Sequence, residues 1–159
     1  MSEKDKMYIP FLFLHSVFRW LVLFSLLVAI FRAYRGWKGN KLYTKTEDAI
    51  RHWTATIAHV QLIIGFVVYM VSPLVKFYFS KANTTNPKEP LFFGIIHISL
   101  MFIAIVIITI GSSMAKRKPT DRSKFSTQLI WFSIALLLIF LSIPWPFSPL
   151  AARPYFRPL

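Results

Sequence analysis

LFFGIIHISLMFIAIVIITIGSSM, residues 91–114, holds neither acid nor base apart from His97 and is long enough to cross a membrane. About 20 apolar residues in a helix span the ~30 Å of hydrocarbon in a bilayer. Three further runs have the same character: Pro10 to Phe31, Thr54 to Val75 and Phe125 to Ile143. In lipid every backbone polar group must be satisfied internally, and an open sheet cannot do that. The spacing therefore predicts an all-α integral membrane protein, a four-transmembrane-helix up-and-down bundle over residues 1–143, with a proline-rich extended tail over 144–159.

The net charge of +13 does not alter this reading. Lys and Arg gather at the ends of the runs. The first connection carries Arg32, Arg35, Lys38, Lys41, Lys45 and Arg51, and the third carries Lys116, Arg117, Lys118, Arg122 and Lys124. The second has only Lys76, Lys81 and Lys88. By the positive-inside rule the first and third connections are cytoplasmic and both termini lie on the external, periplasmic side. Flanking charge then has a membrane explanation, so nucleic acid is not an expected partner. The chain has no cysteine, which excludes disulfides, iron–sulfur clusters and c-type haem attachment. The first run lacks a small-residue cleavage site and reads as a retained span.

Local signals mark the ends. Pro10 suits a helix start; Gly36 and Gly39 suggest a break after the first span. Thr44-x-x-Glu47 has capping-box spacing, placing the second helix start before the membrane, with His52 and Trp53 at its interface. Ser72-Pro73 closes that span, and Lys81 to Pro90 reads as an external loop. The stripe Thr54, Ala58, Gln61 and Gly65 is small or polar at helical spacing and predicts a close helix contact. The fourth span, whose polar groups include Gln128, is expected to pack and not to react. Residues 144–159 hold five prolines with Trp145, Phe147, Tyr155 and Phe156, which predicts an interfacial anchor or a strap along a partner subunit.

Ionisable groups within the spans point to function. His15, His59 and His97 sit in three different runs, and all six acidic residues fall outside them. Missing carboxylates disfavour a proton or cation carrier; imidazole alone suggests haem. At 1.5 Å per residue, His15 and His97 each lie about 9 Å outward of their span midpoints, while His59 lies about 7 Å inward. The first two share a level, and in an up-and-down bundle they come from diagonal helices, as candidate axial ligands on one iron. Bis-histidine ligation favours electron transfer over substrate binding. Arg19 falls one turn from His15 and could hold a haem propionate, a quinone oxygen or a lipid phosphate; the plain alternative is bonding to backbone carbonyls. For each histidine the plain alternative is a hydrogen bond bridging two helices. Ser16, Gln61 and Ser99 could orient an imidazole, and Met101 lies one turn beyond His97.

Three stretches carry a resemblance: His15-Ser16-x-x-Arg19-Trp20, Ala58-His59-x-Gln61-Leu62-x-x-Gly65-x-x-x-Tyr69, and a histidine early in the third span. The chain resembles small four-span bacterial membrane proteins, common in Bacteroidetes, labelled cytochrome b or cytochrome-b-like. The likeness implies a bundle holding haem b, one per chain, with His15, His59 and His97 as candidate ligands. Where that pattern often has an acidic residue before the third histidine, this chain has Ile96. The expected function is a small b-type cytochrome or cytochrome-like subunit of an electron-transfer complex in the bacterial inner membrane. Its expected partners are other membrane-complex subunits, reached through residues 144–159, the lipid bilayer and a quinone. The alternative is a haem-free accessory subunit.

Overall fold

A computed structural model describes residues 3–81, 88–149 and 151–155. The helices are α1 (Glu3–Lys38), α2 (Lys45–Val71), α3 (Pro73–Lys81), α4 (Lys88–Leu91), α5 (His97–Arg117) and α6 (Asp121–Ser142). A π-helical turn, Phe92–Ile96, joins α4 to α5, and no strand occurs among the described residues. Four stretches are long and apolar enough to cross a membrane: Met7–Lys38, Lys45–Val71, Lys88–Arg117 and Asp121–Ser142. Their outer faces expose Phe24, Leu27, Ile63, Phe102 and Leu137, the surface expected of a protein solvated by lipid.

The four long helices run in sequence around a ring. α1 packs on α2 and α6, α5 packs on α6, and α2–α5 is the smallest of the four seams. α1 and α5 are therefore diagonal. Ala29, Ala58, Ala104, Ala115 and Ala135 are wholly buried, because small residues let helix backbones approach where lipid supplies no hydrophobic drive. The small and polar stripe of α2 faces α1: Thr54 Oγ1 donates to the Ser25 carbonyl at 3.3 Å and Gln61 Nε2 to the His15 carbonyl at 3.0 Å.

Several end signals resolve differently from the sequence reading. α1 begins at Glu3 and carries Pro10 inside it, where proline leaves one backbone carbonyl of the preceding turn without its intrahelical donor. Gly36 does not break α1; it lies within the helix, where a Cβ would run into the Phe125 ring. The break comes at Asn40, in the left-handed region at φ 47°, with Lys41 N–H donating to the Gly36 carbonyl at 3.0 Å as in a Schellman closure. Thr44 precedes α2, but its side chain makes no cap. Glu47 is drawn away by Arg32, whose Nη2 and Nε reach its two oxygens at 2.5 and 3.1 Å and tie the end of α1 to the start of α2. The capping box is at Thr120 and Ser123, opening α6.

Gln128 is buried in α6 and spans to two other segments. Its Nε2 donates to the Ala29 carbonyl at 3.2 Å, and its Oε1 accepts from Tyr43 Oη at 2.9 Å. Burial pushes the Tyr43 phenol, in the α1–α2 connection, up to about 12. A native pKa above the unfolded value of ~10 means that the folded chain holds this proton more tightly. Its contribution is complete below pH 10 and is lost as pH rises toward 12. Alkaline unfolding titrations of wild type and Tyr43→Phe should thus diverge below pH 10 and converge above it; a constant offset would refute the assignment.

Candidate cofactor site between His15 and His97

One end of the bundle gathers the start of α1, the end of α2, the π-helical turn with the first turns of α5, and the end of α6. His97 is the first residue after that turn. Such turns recur at functional sites, because an extra residue re-aims the side chains that follow. The Gly94 carbonyl within it accepts from Tyr69 Oη at 2.9 Å. The last carbonyls of a helix have no intrahelical donor. That of Ser142, at the end of α6, lies 2.9 Å from His97 Nδ1. A carbonyl can only accept, so a neutral His97 carries its proton on Nδ1 and keeps a lone pair on Nε2.

His15 reaches the same level from the diagonal helix. The two ring centroids are 6.3 Å apart with their planes at 76°. His15 Nδ1 is buried and has no hydrogen-bond partner, and neither does Gln61 Oε1. Gly65 makes room for the ring: a Cβ there would meet His15 Cε1 at 3.1 Å. Around the pair is a cleft that opens at its mouth. Its walls are mostly apolar, with Leu12, Leu62, Phe66, Phe93, Met101 and Ile105 among them. Ser16 and Gln61 also line it; Ser99 does not, and is exposed.

Arg19 stands at the mouth, its guanidinium 5.5 Å from the Trp20 ring centroid. Arg19 Nη2 and Trp20 Nε1 both donate to the Tyr155 carbonyl, at 2.6 and 3.2 Å. This contact comes from the tail. The tail does not project away as an extended strand: Arg153 N–H donates to the Pro144 carbonyl at 3.1 Å, and the Arg153 side chain pairs with Glu89 and lies over Phe93. Ala151 is buried, while residues 150 and 156–159, including Phe156, lie outside the described residues. Prolines at 144, 146, 149 and 154 deny this segment a helix, and its aromatic side chains turn it back onto the bundle, where Trp145 packs against Trp20 at 6.0 Å.

His59 is not brought to this site. It sits on the outer face of α2 beside α5, with Nδ1 2.7 Å from the Ala55 carbonyl and Nε2 3.0 Å from Thr109 Oγ1. Sequence depth separated it from the other two, but neither the π-helical turn nor the Ser142 contact had a signal in the sequence. Both arise from where helices stop.

The donor set limits what could be bound. Among the described residues no cluster of three or more His, Asp or Glu side chains could hold a bare metal ion. Two imidazoles suffice only if the metal brings its remaining ligands, as in a porphyrin. The two rings lie edge-on with their centroids 6.3 Å apart, so both would be within reach of one group entering the cleft. The unpartnered His15 Nδ1 and the apolar cleft are also consistent with such a group, because a buried polar atom without a partner is costly. No family model, no curated protein and no solved structure matches the chain.

Proposed function

We propose that the chain is a small b-type cytochrome, or cytochrome-like subunit of a membrane electron-transfer complex, holding one haem b between His15 and His97. The observation that carries this reading is the pairing of two imidazoles from diagonal helices, 6.3 Å apart, in an apolar cleft. When bound, the group supplies one-electron chemistry at iron. The chain's own residues do the rest. The Ser142 carbonyl fixes the His97 tautomer and its ring direction, and raises the basicity of the opposite nitrogen. Apolar walls exclude water and lower the local dielectric. Arg19 lies where a propionate could replace part of its contact with the tail. His15 and His97 would be the residues that hold the group, and two protein imidazoles would suit it to electron transfer over substrate binding.

The basic connections support an orientation with the α1–α2 and α5–α6 ends toward the cytoplasm of a bacterial inner membrane, in which the cleft would open near the external face. One observation favours the second reading, a haem-free accessory subunit: the His97–Ser142 contact already cross-links α5 to α6 without any cofactor.

A dithionite-reduced minus oxidised spectrum of the detergent-purified protein, with haem quantified by pyridine haemochrome, separates the two. A b-type signal near one haem per chain is expected. A colourless protein from haem-supplied cells would overturn the cytochrome reading and leave the accessory subunit.

A further inference from the structure

The outer rim of the α2–α5 seam carries two matched stripes, whose polar half shares no residue with the cleft and whose apolar half runs up to Phe66 at the cleft wall. On α2 the sequence positions 52, 56, 59, 63 and 66 advance by four and three, and on α5 so do 116, 113, 109, 106 and 102 in reverse, which keeps each set on one helix face. The His59 Nε2 contact with Thr109 Oγ1, at 3.0 Å, fixes their register. Toward the basic end both stripes are polar: His52 and Thr56 stand opposite Ser113 and Lys116 around a shallow recess. Beyond that contact both are apolar, with Ile63 and Phe66 opposite Val106 and Phe102, all four exposed.

We propose that this groove binds one anionic phospholipid, its phosphate diester in the recess and an acyl chain along the apolar track. Charge points to an anion. No carboxylate lines the recess. Arg51, at its floor, is matched by Asp48, whose Oδ1 it reaches at 2.8 Å, so Lys116 is the uncompensated charge beside His52 and Ser113. Length points to a lipid. From residue 52 to residue 66 is about 21 Å of helix, and one leaflet of a ~40–45 Å bilayer is about the same. A polar recess continuing into an apolar track of that length matches an amphiphile lying along the helices. A free anion needs only the first part. Basic pockets between transmembrane helices are a known class of headgroup site.

The test is a native mass-spectrometry titration of the full chain in detergent with phosphatidylglycerol and with phosphatidylcholine of the same acyl chains. One tightly held phosphatidylglycerol is expected, bound about tenfold or more tightly than phosphatidylcholine. Lys116→Glu should reduce phosphatidylglycerol binding about tenfold or more and leave phosphatidylcholine unchanged. Val106→Trp should weaken phosphatidylglycerol binding by filling the track while leaving the charge in place. Both positions are exposed, and unchanged thermal unfolding checks the fold; Lys116→Gln, with about a fivefold loss expected, serves if the reversal does not purify. Equal binding of the two lipids, or indifference to Lys116, would overturn the headgroup assignment. Displacement of phosphatidylglycerol by millimolar inorganic phosphate together with indifference to Val106→Trp would make this a free-anion site and overturn the lipid.

Discussion

His15→Ala and His97→Ala should each purify with about a tenth or less of the haem retained by the unsubstituted protein, while His59→Ala should retain nearly all of it. The asymmetry follows from placement. His15 and His97 face one another across the cleft, whereas both nitrogens of His59 are taken up on the outer face of α2 by Ala55 and Thr109. Loss of haem alone would not distinguish a ligand from a structural residue, because His97→Ala also removes the contact to the Ser142 carbonyl. Exogenous imidazole makes the distinction: it should restore a low-spin b-type spectrum to His15→Ala, whose cleft gains the volume of the missing ring. A packing defect would not respond. Gly65→Val should give an intermediate loss, since a side chain there presses on His15 Cε1 without removing the ring. Full haem in both alanine variants, with loss at His59, would refute the assignment.

The level shared by His15 and His97 could be read from the sequence because rise per residue is fixed once the spans are located, and the spans follow from apolar runs whose length the bilayer sets. The same logic explains what was not legible. Hydropathy registers lipid, not helix ends. The second apolar run continues to Val75, yet α2 stops at Val71 and α3 starts at Pro73; the end is marked by Ser72-Pro73 and not by any loss of hydropathy. The Thr44-x-x-Glu47 pattern marks the start of α2, which begins at Lys45 with Thr44 as N-cap, but its side-chain cap does not form: Glu47 pairs with Arg32, fifteen residues away, an interaction that local spacing cannot show. Gln128 looked like one polar group among several in α6; its importance comes from Ala29 and Tyr43, which only the fold brings to it. The Tyr155 contact with Arg19 joins residues at opposite ends of the chain. The shared level of two side chains was accessible to sequence reasoning, as was the close contact made by the small and polar stripe of α2, but the particular side chains that meet across the bundle were not.

Lateral neighbours decide the second large effect, which concerns two glycines. Glycine to alanine in an isolated helix is favourable by about 1 kcal/mol, since alanine is the better helix former. At Gly111 and Gly36 the sign should reverse, with a net loss of about 1–3 kcal/mol for alanine and more for valine, measured by unfolding in detergent. Gly111, in α5, abuts Trp131 of α6 so closely that a Cβ would overlap the Trp131 Cβ; Gly36, in α1, would drive one into the ring of the buried Phe125. The two obstacles differ in kind, and that gives a sharper test. Truncating Phe125 to alanine removes the ring, so Gly36→Ala with Phe125→Ala should be less damaging than the two single losses combined, by about 1 kcal/mol or more. Truncating Trp131 to alanine leaves its Cβ where it was. Gly111→Ala with Trp131→Ala should therefore show little such recovery, because the remaining conflict lies between two helix backbones that must move apart. If both pairs recovered equally, the α5–α6 seam would have room to relax, and the close approach at Gly111 would not be what holds these two helices in register.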